Sequence, residues 1–182
     1  MRLFVAVDPP APALDHLEAF TAGLTVVRTG TRVTARHLWH VTLAFIGEVP
    51  DGRVPAAVQA VDRAATGPDR PVLSIAGGGR FGRGRFTVLW AGIEGDLKPL
   101  RRAVGRQLRA ARLAYDAQRF HPHLTLARPG DRLPRAEIDG DVAGLAGYQG
   151  PQWTVVALRL VRSHLGPRPV YETVHCAPIR PE

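Results

Sequence analysis

The chain holds one cysteine, Cys176, one lysine, Lys98, and no long apolar run. A single cysteine excludes an internal disulfide framework and a cysteine-built metal site. The apolar stretch near the start runs from Leu3 to Val7 and stops at Asp8. That is shorter than a secretory signal core and far short of the ~20 apolar residues of a membrane helix. The cytoplasm is therefore the expected location, with no membrane partner. Lysine is scarce because arginine supplies 23 of the 24 basic residues, set against 16 acidic ones for a net charge of +8. Such a balance points to an anionic partner, nucleic acid or a phosphate ester. The chain is also rich in Ala, Gly and Pro, and an arginine excess of this kind also follows from a composition bias.

At 182 residues, 45% of them hydrophobic, the chain can bury a sizeable core. β-branched and aromatic residues predict a strand over 2–7, ended by Asp8-Pro9-Pro10. Leu14, Leu17, Phe20 and Leu24 share a helical face and predict a helix over 13–24. Strands are expected over 31–36 and 39–47, a helix over 54–65, and a strand pair over 71–76 and 85–93. The glycine-rich residues 77–84 lack the Gly-Lys-Ser/Thr ending and following helix of a nucleotide loop, so they read as a mobile hairpin loop. A helix over 97–113 has an apolar stripe of Leu97, Leu100, Val104 and Leu108. Its arginine-rich remainder reads as a solvated outer face, with an RNA-facing surface as the alternative. A strand over 123–128, a Pro/Gly/Asp-rich connection to about residue 150, and strands over 153–165 and 169–177 complete the series. Helices interspersed with hairpins favour antiparallel or mixed sheets, an α+β class.

One pattern occurs twice. His40-Val41-Thr42-Leu43-Ala44 and His123-Leu124-Thr125-Leu126-Ala127 share a histidine, an aliphatic residue, a threonine, a leucine and an alanine, 83 residues apart. In a strand, residues two apart face the same way, so each histidine shares a face with its threonine while Val41, Leu43, Leu124 and Leu126 face the core. Packing alone does not ask for histidine and threonine twice. Side by side, the two strands offer two groups able to carry a proton near neutral pH and two hydroxyl donors. That set suits acid–base chemistry on a phosphate.

The stretches WHVTLAFIGEV and RFHPHLTLAR resemble the paired His-x-Thr-x motifs of the two-histidine phosphoesterases, in particular the RNA 2′,3′-cyclic phosphodiesterases historically called 2′-5′ RNA ligases. RLFVAVDPP, RFTVLWAGIEGDLKPL and LRLVRSHLGPRPVYE extend the likeness over nearly the whole chain. The resemblance implies a bilobal α+β fold over residues 1–182. Two pseudo-symmetric lobes of antiparallel sheet, helices packed outside, would carry one motif each (40–43 and 123–126) across an active-site cleft. It implies metal-free hydrolysis of a terminal 2′,3′-cyclic phosphate on RNA 3′ ends to a 2′-phosphate, with the reverse joining reaction at the same site and no cofactor. A monomer without an obligatory protein partner is the default expectation, not one drawn from the resemblance.

In-line hydrolysis needs a base for water on one side of phosphorus and an acid for the leaving oxygen on the other. The symmetry of the motifs leaves open which histidine does which; the resemblance implies His40 as proton donor and His123 as proton acceptor. Thr42 and Thr125 would donate to the non-bridging oxygens. Arg128, at the family's Thr-Leu-Ala-Arg position, is a further phosphate-binding candidate, although strict alternation would turn it away from Thr125. His37 and His121 sit near the motifs and raise the alternative of a metal set, while His16, His164 and His175 have no evident partner. Two other functions stay open: an RNA or nucleotide-phosphate binding module without turnover, and a cyclic phosphodiesterase for small nucleotides.

Overall fold

The computed structural model describes every residue except Gln118, Leu165, Pro167, Arg168 and Glu182. The elements in chain order are β1 (Arg2–Val7), α1 (Ala11–Thr21), α2 (Thr25–Arg28), β2 (Val41–Glu48), α3 (Val54–Ala64), β3 (Thr66–Gly67), β4 (Val72–Phe81), β5 (Val88–Glu94), α4 (Lys98–Ala110), β6 (His123–Ala127), α5 (Arg135–Ala146), β7 (Gln149–Thr154), β8 (Ala157–His164), β9 (Val170–Pro178) and β10 (Arg180–Pro181). Two four-stranded antiparallel sheets result, ordered β2-β1-β8-β9 and β6-β5-β4-β7; β3 and β10 add a short parallel ladder. The orders match strand for strand. Each motif strand is an edge strand, beside a partner to which it is joined through a helical connection.

β1 shows how the sequence makes a layered sheet. Leu3, Val5 and Val7 enter the main core, whereas Phe4 and Ala6 form a separate small cluster with Val161 on the opposite face. Both faces are covered, so the strand is apolar from Leu3 to Val7 rather than alternating. The main core also takes in Val41, Leu43, Leu124 and Leu126, the aliphatic residues of the repeated stretches.

The helices cross between lobes. α1 leaves β1 of the first sheet and packs on β7 and β4 of the second, joined there by α5. α4 leaves β5 of the second sheet and packs on β2 of the first, against α3, which covers β8 and β9. Arg102, Arg106 and Arg109 of α4 are exposed, as a solvated face would be, while half-buried Arg101 lies over the Phe120 ring at 4.8 Å. Buried Asp141 of α5 accepts backbone N–H bonds from Thr25 (2.7 Å) and Val26 (2.9 Å), capping α2 with a carboxylate.

Several expected elements differ. Residues 31–36 form no strand; Val33 makes a lone bridge to Ala127, and the Thr34 N–H donates to Leu126 O at 2.8 Å, so this segment flanks β6. The glycine run is no loop up to residue 81, because β4 continues to Phe81. The indole of Trp90 lies across Gly79, where an added Cβ would fall 2.5 Å from it. The connection after residue 128 contains α5 and β7. The strand expected over 153–165 splits, since Trp153 belongs to β7 in the second sheet and β8 in the first begins at Ala157; Leu165 lies outside the described residues.

Candidate active site

β2 and β6 approach one another, and with them the two His-x-Thr pairs. Each pair is built the same way. His40 Nδ1 lies 2.7 Å from Leu38 O, and His123 Nδ1 lies 2.7 Å from His121 O. A carbonyl only accepts, so Nδ1 carries the proton and Nε2 is the unprotonated nitrogen of each neutral ring. The anchor in each case is the residue two before the histidine.

Each motif also carries the same β-bulge. Against β1, Ala6 pairs with Thr42 and Val5 with Ala44; against β5, Trp90 pairs with Thr125 and Leu89 with Ala127. The residue passed over is the leucine that follows each threonine, Leu43 or Leu126. A bulge bends its strand and re-aims neighbouring side chains. This lets Thr42 and Phe45 both face the Phe4 side, although they stand three residues apart. The repetition in sequence is therefore a repetition of backbone shape as well as of side-chain chemistry.

The surroundings are not symmetric. Across the first sheet Thr42, Ala6 and Arg159 form one row; across the second the matching row is Thr125, Trp90 and Gly79. Where one lobe has a small residue beside an arginine, the other has an indole across a glycine. Arg159 Nε stands 2.5 Å from Asp8 Oδ2, a charge contact in which the N–H is off the line to oxygen, and its Nη1 donates to Thr173 Oγ1 at 3.2 Å. Burial raises the Asp8 pKa, an effect that Arg159 opposes. His40 packs on Phe4 (4.8 Å between centroids) and edge-on to Tyr171 (5.2 Å). His123 is edge-on to Phe81 (4.9 Å), which stacks on Trp90 at 5.1 Å.

These walls set the protonation. Burial lowers the His40 pKa to about 4, against the pull of the Leu38 carbonyl, and the charges of Arg159 and His123 lower it further. Burial also lowers the His123 pKa, again opposed by its carbonyl bond, with His121 and Arg128 adding to the depression. Both rings are thus neutral near neutral pH, and each motif histidine has its own arginine within electrostatic range. Neutral His40 Nε2 accepts a hydrogen bond from Thr42 Oγ1 at 3.0 Å. Among the described residues that bond has no counterpart between His123 and Thr125.

The structure thus brings together His40, Thr42, His123 and Thr125, the four motif residues. Arg128 follows the last residue of β6, so the alternation that would turn it away ends before it, and His123 feels its charge. His121 sits beside Trp90 with ring centroids 4.5 Å apart, and exposed His37 lies on a short 3-10 turn. Among the described residues no three His, Cys, Asp or Glu side chains gather as a ligand set. The remaining histidines do have partners: His16 the Tyr148 hydroxyl (2.9 Å), His164 Glu172 (3.0 Å) and His175 Asp62 (2.6 Å). Asp8 and Arg159 escaped the sequence reading because neither repeats in the other half.

Two facing antiparallel sheets, each presenting His-x-Thr from an edge strand, are the architecture of the two-histidine phosphoesterase class. A family model described as the 2′-5′ RNA ligase superfamily matches residues 7–167, and the chain belongs to that superfamily. The RNA 2′,3′-cyclic phosphodiesterase of Thermus thermophilus is 31% identical over an alignment of 196 positions, covering 100% of this chain and 92% of that protein. The protein of the same name from Geobacillus stearothermophilus is 29% identical over 97% of this chain, which spans only 56% of that relative's length. The crystal structure of TT0787 of Thermus thermophilus superposes with a TM-score of 0.74 at 31% identity, covering 100% of both chains. No helix among the described residues is long and apolar enough to cross a membrane.

Proposed function

We propose that this protein hydrolyses the 2′,3′-cyclic phosphodiester at an RNA 3′ end to a 2′-phosphomonoester, without a metal, and can run the reverse 2′-5′ joining at the same site. The observation that carries this reading is the matched presentation of two Nε2 atoms, one from each sheet, by histidines close enough that the charge of His123 acts on His40. The names of the relatives supply the substrate class.

On this reading His123 Nε2 takes a proton from water as the water oxygen attacks phosphorus. The bond from phosphorus to O3′ breaks in line, and His40 Nε2 gives its proton to O3′. The step ends with His40 neutral and His123 charged; exchange with solvent restores the pair. Thr42 and Thr125 donate to the non-bridging oxygens, where charge builds in the five-coordinate state. Arg128 adds a fixed positive charge beside the phosphate. The depressed His40 pKa runs against an acid role, so the anionic phosphate itself must recharge the ring. Once His40 holds its proton, its Nε2 no longer accepts from Thr42, and that hydroxyl is freed for the phosphate at the same moment.

The test is single-turnover hydrolysis of a short RNA ending in a 2′,3′-cyclic phosphate, with EDTA present, for wild type, His40→Ala and His123→Ala. The expected result is conversion to the 2′-phosphate by wild type, lost in both variants. Tight, salt-sensitive binding without turnover by wild type would instead make the protein a binding module, and activity abolished by EDTA would overturn the metal-free mechanism.

A further inference from the structure

Beside His123 the second sheet opens into a cavity of about 530 Å³, lined by Trp90, Glu94, His121, Tyr148, Gln149 and backbone at Gly77, Gly78 and Gly92. Gly92 pairs with His123 across β5 and β6, and the Trp90 ring centroid is 6.2 Å from that of His123. The cavity therefore begins where a phosphate held by the motif would hand over to its own ribose and base. An added Cβ at Gly92 would fall 2.5 Å from Ala76 O, and one at Gly78 2.7 Å from Trp90 O. At Gly78 and Gly92 this wall is bare backbone by steric necessity.

The Ser74–Glu94–Gln149 side of the cavity has a definite hydrogen-bond polarity, distinct from Trp90, whose Nε1 has no partner among the described residues. Gln149 Nε2 donates to Ser74 Oγ (3.0 Å) and to Glu94 Oε2 (3.1 Å), and Ser74 Oγ donates to the same Oε2 (3.3 Å). The two amide hydrogens and the hydroxyl hydrogen are all spent inside the trio. Two acceptors remain, Glu94 Oε1 and the Gln149 carbonyl, and no donor remains in the trio. A ligand edge meeting this wall must bring its own hydrogens.

Only one RNA base presents adjacent donors on its Watson–Crick edge. Guanine offers N1–H beside an amino group; adenine and cytosine place one amino group next to a ring acceptor, and uracil sets one N–H between two carbonyls. Unpaired bases are held by stacking on aromatic or imidazole rings together with hydrogen bonds to that edge, and Trp90 and His121 supply such rings here. We propose that this cavity is a guanine-selective subsite for the nucleoside that carries the cyclic phosphate, with Glu94 and Gln149 as the specificity-determining residues. This rests on the phosphodiesterase reading for the identity of the phosphate, but not for the binding of the base.

The test is calorimetric binding of the 2′-monophosphates of guanosine, adenosine, cytidine and uridine to the full chain, with wild type, Glu94→Gln and Gln149→Leu compared. A two-acceptor readout of a base discriminates by about 10- to 100-fold, the expected preference for 2′-GMP over 2′-UMP. Glu94→Gln replaces an acceptor by a donor and should shrink that ratio to a few-fold; Gln149→Leu, which frees Ser74 and removes the second acceptor, should also narrow it. Equal affinities in wild type, or a guanine preference that survives both substitutions, overturns the subsite. Turnover of the four cyclic nucleotides separates the two proposals. A 2′-GMP preference without turnover of any of them leaves the subsite standing and sinks the hydrolase, whereas turnover of all four without any base preference does the reverse.

Discussion

Placing an oxyanion in the cleft should recharge His40. Burial and the nearby cations hold the ring at about 4 rather than its ordinary 6.5, a gap worth about 3 kcal/mol against the charged form. One negative charge ~4 Å from the ring returns roughly 4 kcal/mol at an effective dielectric constant of about 20. The two magnitudes match, so a bound phosphate is sufficient to bring His40 back to titration near neutrality. The assay is histidine-ring NMR followed from about pH 4 to about pH 8, with the His40 signal identified by its loss in His40→Gln. Sulfate serves as the oxyanion because its own protonation lies far below that range. The expected midpoint is about 4 for the free protein, rising by about three units with sulfate. A free midpoint near the ordinary histidine value, or one that sulfate leaves in place, would refute the reasoning. The same shift has a stability consequence. The unfolded chain binds a proton on this ring that the fold resists, so stability is untouched above about pH 6.5 and falls by about 3 kcal/mol as pH drops towards the folded value. Urea unfolding of wild type and His40→Gln on either side of that window should show the slope in wild type only.

The assignment of acid and base is separable by leaving group. A cyclic substrate with sulfur in place of O3′ needs no proton on departure. It should restore His40→Ala by much of the roughly 10²- to 10⁴-fold that a general acid contributes, and do nothing for His123→Ala; rescue of His123→Ala instead would exchange the two roles. Thr125→Ala should lower kcat by roughly 10²-fold with KM less affected, as expected for a donor to charge that appears in the transition state. Asp141→Ala leaves two backbone N–H groups without their carboxylate acceptor and should cost about 3 kcal/mol in chemical unfolding, with Asp141→Asn costing less because one acceptor oxygen remains.

The sequence disclosed what depends on side-chain type at fixed spacing. His40, Thr42, His123 and Thr125 could be placed on the working faces of two strands because alternation and the repeated core agree. The long amphipathic helices α3 and α4 were legible for the same reason. Features set by contacts between distant segments were not. α5 has Gly140 and Gly144 within it and a face pattern too weak to rise above its Pro/Gly/Asp-rich flanks; its place comes from packing on β4 and from Asp141 reaching α2. Residues 77–81 read as a loop because glycine disfavours strands, yet the strand exists so that Trp90 can lie over Gly79. The bulges at Leu43 and Leu126 show only as skipped register against a partner strand. Asp8 and Arg159 carry no motif at all until β1 and β8 are seen side by side.

The unequal rows, Thr42–Ala6–Arg159 and Thr125–Trp90–Gly79, bear on regiochemistry. A cyclic phosphate is itself nearly two-fold about its phosphorus, with O2′ and O3′ as interchangeable candidates to depart. A cleft of true two-fold symmetry would accept it in two orientations of equal energy and release a mixture of 2′- and 3′-monoesters. An ion pair filling one side and an indole the other would give a bound nucleoside one way to sit. On the proposed hydrolysis, a single product from a protein of two similar halves would depend on where those halves have stopped being alike.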